Sequence, residues 1–168
     1  MRFALDVAGF LHALWDADAT GGPAAGAHSF FRGCDPVHYD DETRRALVGL
    51  DGRRGRAAGV WEAALAAPYE GRERWFHGDI AVGNLLVRDG RLSAVIDFGT
   101  CGVGDPSCDL VLTWTLLRGP ARAAFREAVH QDDATWTRAR GWALWKALIT
   151  EDLRVVDEVL ADECTLGS

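Results

Sequence analysis

The sequence predicts an α+β domain dominated by helices, and three features carry that expectation. Apolar residues recur at three- and four-residue intervals over most of the 168 positions, the spacing of amphipathic helices. Strand-like runs are few and short, the clearest being Leu85–Val87 and Leu92–Ile96 on either side of Arg88-Asp-Gly-Arg91. Asp-Gly between two apolar runs is a strong hairpin signal. There is no internal repeat and no low-complexity stretch, so residues 1–168 are expected to form one domain, long enough to bury a core.

In chain order, Phe3, Val7, Phe10, Leu11 and Leu14 form one apolar stripe, predicting a helix over 3–15. Residues 16–26 are rich in Ala, Gly and Asp, and Gly21-Gly22-Pro23 cannot continue it. Asp40 and Asp41 are N-cap candidates for a short helix through 43–50. A second helix is expected near 55–67, ending at Pro68. After the hairpin, 100–106 reads as a Gly-rich turn, and Asp105-Pro106 opens a helix with proline where a missing N–H does no harm. Gly119-Pro120 ends that helix. The remainder, 121–130, 132–150 and 152–163, is helical by periodicity.

Composition narrows the function classes. With 48% hydrophobic and 26% charged residues the chain reads as globular rather than disordered. A net charge of −7 argues against a general nucleic-acid binder and is compatible with a cationic small substrate. Four scattered cysteines form no CxxC pair and read as reduced thiols. No run reaches the eighteen or so apolar residues that a bilayer demands, and the first residues do not read as a secretory signal. The expectation is a cytoplasmic protein with no membrane partner.

The chemistry gathers in Trp75-Phe-His-Gly-Asp-Ile-Ala-Val-Gly-Asn-Leu-Leu-Val87, followed by Ile96-Asp-Phe-Gly99. The hairpin begins just after Asn84 and ends just before Asp97, so its open end sets those two side by side. Asp79 lies five positions before Asn84. Two carboxylates and an amide converging on one point make an oxygen-rich site of the kind Mg2+ prefers. Phosphoryl transfer needs mainly an oriented nucleophile and neutralised phosphate charge. Kinase catalytic loops read His-x-Asp with Asn five positions after the Asp, then Asp-Phe-Gly; His77-Gly-Asp79, Asn84 and Asp97-Phe-Gly99 match in type, spacing and order.

Residues 75–118 resemble the C-terminal lobe of aminoglycoside phosphotransferases and related small-molecule kinases, a protein-kinase-like fold, with the catalytic segment at 75–110. The resemblance rests on His-Gly-Asp-x-x-x-x-Asn-Leu-Leu-Val, Val-Ile-Asp-Phe-Gly and Gly-Asp-Pro-x-x-Asp-Leu. It implies an ATP- and Mg2+-dependent O-phosphotransferase acting on a small hydroxyl-bearing molecule, with an aminoglycoside-type antibiotic foremost. By the same resemblance Asp79 is the catalytic base, and Asn84 and Asp97 are the Mg2+ ligands that hold the nucleotide phosphates. His77 supports the loop, and Asp109 is the buried carboxylate that caps its backbone amides. The family also binds ATP against an N-terminal lobe carrying a glycine-rich loop and a phosphate-contacting lysine. Here the one lysine is Lys146, far downstream, and no such loop precedes residue 75. The N-terminal nucleotide lobe, about half of a full enzyme, is therefore expected to be missing or on a partner chain, with exposed apolar surface where it docks.

Three alternatives stand beside this reading. Asp79, Asn84 and Asp97 as mere hairpin caps would leave their joint spacing unaccounted for. A non-catalytic remnant that binds a ligand or partner chain fits the missing lobe. A metal-dependent hydrolase would need His ligands or a larger carboxylate set. The C-terminal acids Glu151, Asp152, Asp157, Glu158, Asp162 and Glu163 read as a solvated helix face.

Overall fold

Arginine 138 and aspartate 105, both almost fully buried, pair at 2.7 Å in the middle of the molecule and mark where its helical and strand-bearing parts meet. The computed structural model describes residues 1–162; the expected helix end at Glu163, the acid there and Cys164 lie outside the described residues. The elements run α1 (Arg2–Asp16), α2 (Asp40–Leu47), α3 (Arg54–Leu65), β1 (Arg74–Phe76), β2 (Leu85–Arg88), β3 (Arg91–Val95), β4 (Gly102–Gly104), α4 (Leu112–Thr115), α5 (Gly119–Val129), α6 (Asp133–Ile149) and α7 (Leu153–Ala161). The fold is mainly helical, with two small antiparallel sheets, β1–β4 and β2–β3.

Helix α6 is the spine. Eleven of its residues are buried, from Thr135 to Leu148, and they point in every direction around the helix. It packs on α3, where a Cβ at Gly141 would come within 2.3 Å of Ala64 Cβ. It also packs along the 3-10 turn Pro106–Val111, all of whose residues are buried. Trp61 and Trp114 are fully buried, as is Trp142 of α6 itself, and large aromatic surfaces of this kind dominate core energetics.

The hairpin β2–β3 is built on an Asp89-Gly90 turn with both φ angles positive, 51° and 73°, the backbone that a two-residue hairpin loop requires. It is moored to α1 through Asp6, which takes Arg91 Nε and Nη2 at 2.7 Å each and Leu92 N–H at 3.1 Å. Much of the hairpin is uncovered: Leu86, Val87 and Ile96 are 46%, 55% and 42% exposed.

Several local expectations change. Asp40 and Asp41 lie inside the first turn of α2 instead of capping it; they favour that position because carboxylates meet the positive end of the helix dipole. The Gly-rich stretch before Asp105 contains strand β4, paired with β1 from Arg74↔Gly104 to Phe76↔Gly102. Two glycines hide a strand from any propensity argument, yet here they admit close neighbours: a Cβ at Gly104 would meet Gly33 O at 2.4 Å. Helix α4 stops at Thr115, ahead of Gly119-Pro120, which begins α5 instead of ending a helix, with proline in its first turn.

Asp105 also caps the 3-10 turn through Ser107 N–H at 3.0 Å, and Arg138 reaches the Ala67 and Pro68 carbonyls at 3.3 Å. Arg138→Met therefore strands a buried carboxylate, and we expect a loss of about 3–5 kcal/mol in denaturant unfolding. Adding Asp105→Asn should recover part of it.

Candidate functional site

The catalytic-type loop leaves β1 between two fully buried anchors, Phe76 and Ile80. Between them the chain turns at Gly78, whose φ of 84° suits glycine and whose Cβ, if present, would lie 2.8 Å from Thr100 O. Asp109 accepts the His77 and Gly78 backbone N–H groups, one on each carboxyl oxygen, both at 2.7 Å. Burial pushes the Asp109 carboxyl up to about 7, against the two N–H groups, which pull it down. Thr100 Oγ1 donates to His77 O at 2.9 Å, closing the loop from the other side.

His77 is wholly buried and both ring nitrogens are engaged. Asp79 N–H donates to Nδ1 at 3.2 Å, and Nε2 lies 3.0 Å from Ile96 O. An acceptor at Nδ1 and a carbonyl at Nε2 together require the neutral ring with its proton on Nε2. Burial likewise pushes the His77 pKa below its ordinary 6.5, with the Ile96 carbonyl and the nearby Asp79 and Asp97 opposing. His77 therefore ties the loop to the end of β3, and its geometry leaves no free nitrogen for proton transfer. Phe98 packs on its ring at 4.6 Å and meets Phe10 of α1 at 6.3 Å.

Asn84 Nδ2 donates to both the backbone O of Asp79, at 2.9 Å, and its Oδ2, at 3.0 Å. The hairpin continues past β2, with Ile96 N–H donating to Asn84 O at 3.0 Å, so Asn84 and Asp97 stand at adjacent ends of the paired chains. Asp97 has φ 63°, a left-handed backbone uncommon for a residue with a side chain. Among the described residues neither the Asp97 carboxylate nor Asn84 Oδ1 accepts a protein hydrogen bond. Two unpartnered oxygens on neighbouring residues are the donor type for Mg2+, which takes one or two protein ligands and completes its shell with phosphate and water. No cluster of three or more His, Cys, Asp or Glu suited to a metal occurs among the described residues.

Sequence reasoning missed Lys146. Its Nζ lies 2.8 Å from Asp79 Oδ1, across 67 positions of chain. Burial pushes the Asp79 carboxyl up, but the hydrogen bond and charge of Lys146, helped by Asn84, outweigh it, and the net shift is downward. The signal available in sequence was its singularity: one lysine among 18 basic residues. Asp79 does not line the cleft of about 470 Å³ beside Trp15, Asp18 and Arg72; its side chain is 39% exposed.

A helical lobe with a small hairpin, presenting an Asp, an Asn and a second Asp in this order, has the fold of the C-terminal lobe of aminoglycoside phosphotransferases. The phosphotransferase enzyme family matches residues 2–142, and the chain belongs to that family. Solved structures give the same fold. A thermostable mutant of aminoglycoside phosphotransferase APH(4)-Ia, in ternary complex with AMP-PNP and hygromycin B, aligns with TM-score 0.58 and 20% identity over 99% of this chain and 66% of that one. ADP-bound APH(2'')-Ib aligns at 0.52 and 16% over 98% and 64%. The streptomycin–ATP complex of APH(2'')-IIa aligns at 0.53 and 20% over 98% and 63%. No curated protein matches the chain. The chain thus spans just under two-thirds of these relatives, so about a third of the first of them, not half, has no counterpart here.

Two measurements check the loop. Asp109→Asn places an N–H donor against a backbone N–H, so we expect a loss of about 1–3 kcal/mol and faster hydrogen exchange at His77 and Gly78. Because the folded His77 pKa lies below its unfolded value, its contribution to stability is present above pH 6.5 and is lost as pH falls through the depressed folded value. Stability of His77→Gln, compared with wild type across pH 7 to 5, should lack that part of the acid decline.

Proposed function

We propose that this chain carries the base and metal side of an ATP- and Mg2+-dependent O-phosphotransferase for a small hydroxyl-bearing acceptor, with aminoglycoside-type antibiotics the first to test. The observation that carries the reading is the Asp79–Asn84 contact beside the two unpartnered oxygens of Asn84 and Asp97. Asn84 and Asp97 would hold Mg2+, which when bound neutralises the charge of the nucleotide phosphates. The base role falls to Asp79 because His77 is fully engaged and Asp109 is buried on backbone N–H groups.

In the reaction the acceptor hydroxyl oxygen forms a bond to the γ-phosphorus while the bond from that phosphorus to the β–γ bridging oxygen breaks. Asp79 takes the hydroxyl proton, and the electron pair of the broken bond leaves on the diphosphate. Asp79's contribution is orientation and proton acceptance. The grip on the nucleotide's far side would come from a further lobe, joined to this chain or separate. The uncovered Leu86, Val87 and Ile96 supply apolar surface for it.

A second reading, a remnant that binds a ligand or partner without transfer, is favoured by the 66% span. Transfer of labelled phosphate from ATP across a panel of acceptors, on this chain and on one extended upstream, separates the two. Asp79→Ala should lower transfer by about 10²–10⁴-fold with little change in melting temperature; an undiminished rate would remove Asp79 from the base role. Asp97→Ala should weaken Mg2+-dependent nucleotide binding, read by calorimetry with and without the cation.

A further inference from the structure

Lys146 sits three residues before the end of α6, between buried Trp145 and Ala147, so the root of its side chain is fixed by the core. Its ammonium reaches Asp79 Oδ1 at 2.8 Å while Asn84 holds Oδ2 at 3.0 Å. A carboxylate gripped on one oxygen can still turn about its side-chain bonds, whereas one gripped on both oxygens from opposite sides cannot. Asn84 approaches from the hairpin and Lys146 from the helical body, two elements far apart in sequence.

We propose that Lys146 is a positioning residue for Asp79, locking the carboxylate in the orientation from which it receives the acceptor hydroxyl. This rests on Asp79 being the base. Four lone-pair directions exist on the carboxylate; Asn84 and Lys146 take one on each oxygen and leave the others for the acceptor. The residue type fits the task. An arginine fork tends to engage both oxygens of a carboxylate together and would compete with Asn84, while an ammonium is a compact charge that meets one. With one lysine among 18 basic residues, the other 17 being arginine, the chain uses its single ammonium side chain at this point. Asp109 fixes the loop backbone at His77 and Gly78, and it belongs to the buried 3-10 turn against which α6 packs. Backbone and carboxylate of the loop are thereby referenced to one rigid unit.

The test reads the Asp79 side chain directly. Three-bond NMR couplings to its β-hydrogens and side-chain carbon report whether χ1 is single or averaged. We expect one rotamer in the wild-type chain and averaging in Lys146→Met, with the melting temperature held within a few degrees; Lys146→Gln replaces that variant should it unfold. In transfer assays Lys146→Met should lower kcat by about ten- to a hundredfold and leave the nucleotide KM unchanged. Unchanged couplings in the variant, or averaged couplings with an unchanged kcat, overturn the proposal. The prior reading fails separately, through Asp79→Asn that still transfers phosphate at the wild-type rate.

Discussion

Two backbone N–H groups, those of His77 and Gly78, are buried, and Asp109 meets both with one carboxyl group. Unpaired, each would cost a large part of the free energy that separates folded from unfolded chain. The tie therefore decides where the loop can run. It sets Gly78 in its left-handed turn, aims His77 at the end of β3 and brings Asp79 out toward Asn84. Asp109 can do this only because the turn that carries it is buried on all six residues and pressed against α6. The site's precision thus derives from the helical core, and the hairpin contributes its outer edge.

Much of this was legible in the sequence. Amphipathic spacing located the helices to within a few residues, and Asp89-Gly90 located the hairpin, because both signals are local. Strand β4 was not legible: Gly102 and Gly104 outweigh the strand preference of the single Val103 between them, and what makes them a strand is the pairing with β1 and the close approach of Gly33. The caps of α2 were misplaced because Asp40 serves instead as a partner to Arg44 and to the Trp61 indole, a contact 21 residues away. Lys146 escaped for the same reason: no local pattern announces a contact 67 residues away.

The two faces of the site differ in finish. On the inner side every group is committed, His77 by both nitrogens and Asp109 by both oxygens. On the outer side Asn84 Oδ1 and the Asp97 carboxylate accept no protein hydrogen bond among the described residues, and Leu86, Val87 and Ile96 of the hairpin stay about half exposed. That asymmetry accompanies a chain that spans 66% of its first structural relative.

The lone lysine has a practical side. Reagents that seek primary amines, whether acylating labels, cross-linkers or an activated sensor surface, find a single side chain to attack, and it lies 2.8 Å from Asp79. The same chain attached through that side chain would be tethered by the very group that pairs with Asp79. Its 17 arginines are inert to such reagents, which leaves the α-amine of Met1 as the other group they can mark. A covalent reporter of the site is thus available without introducing any new residue.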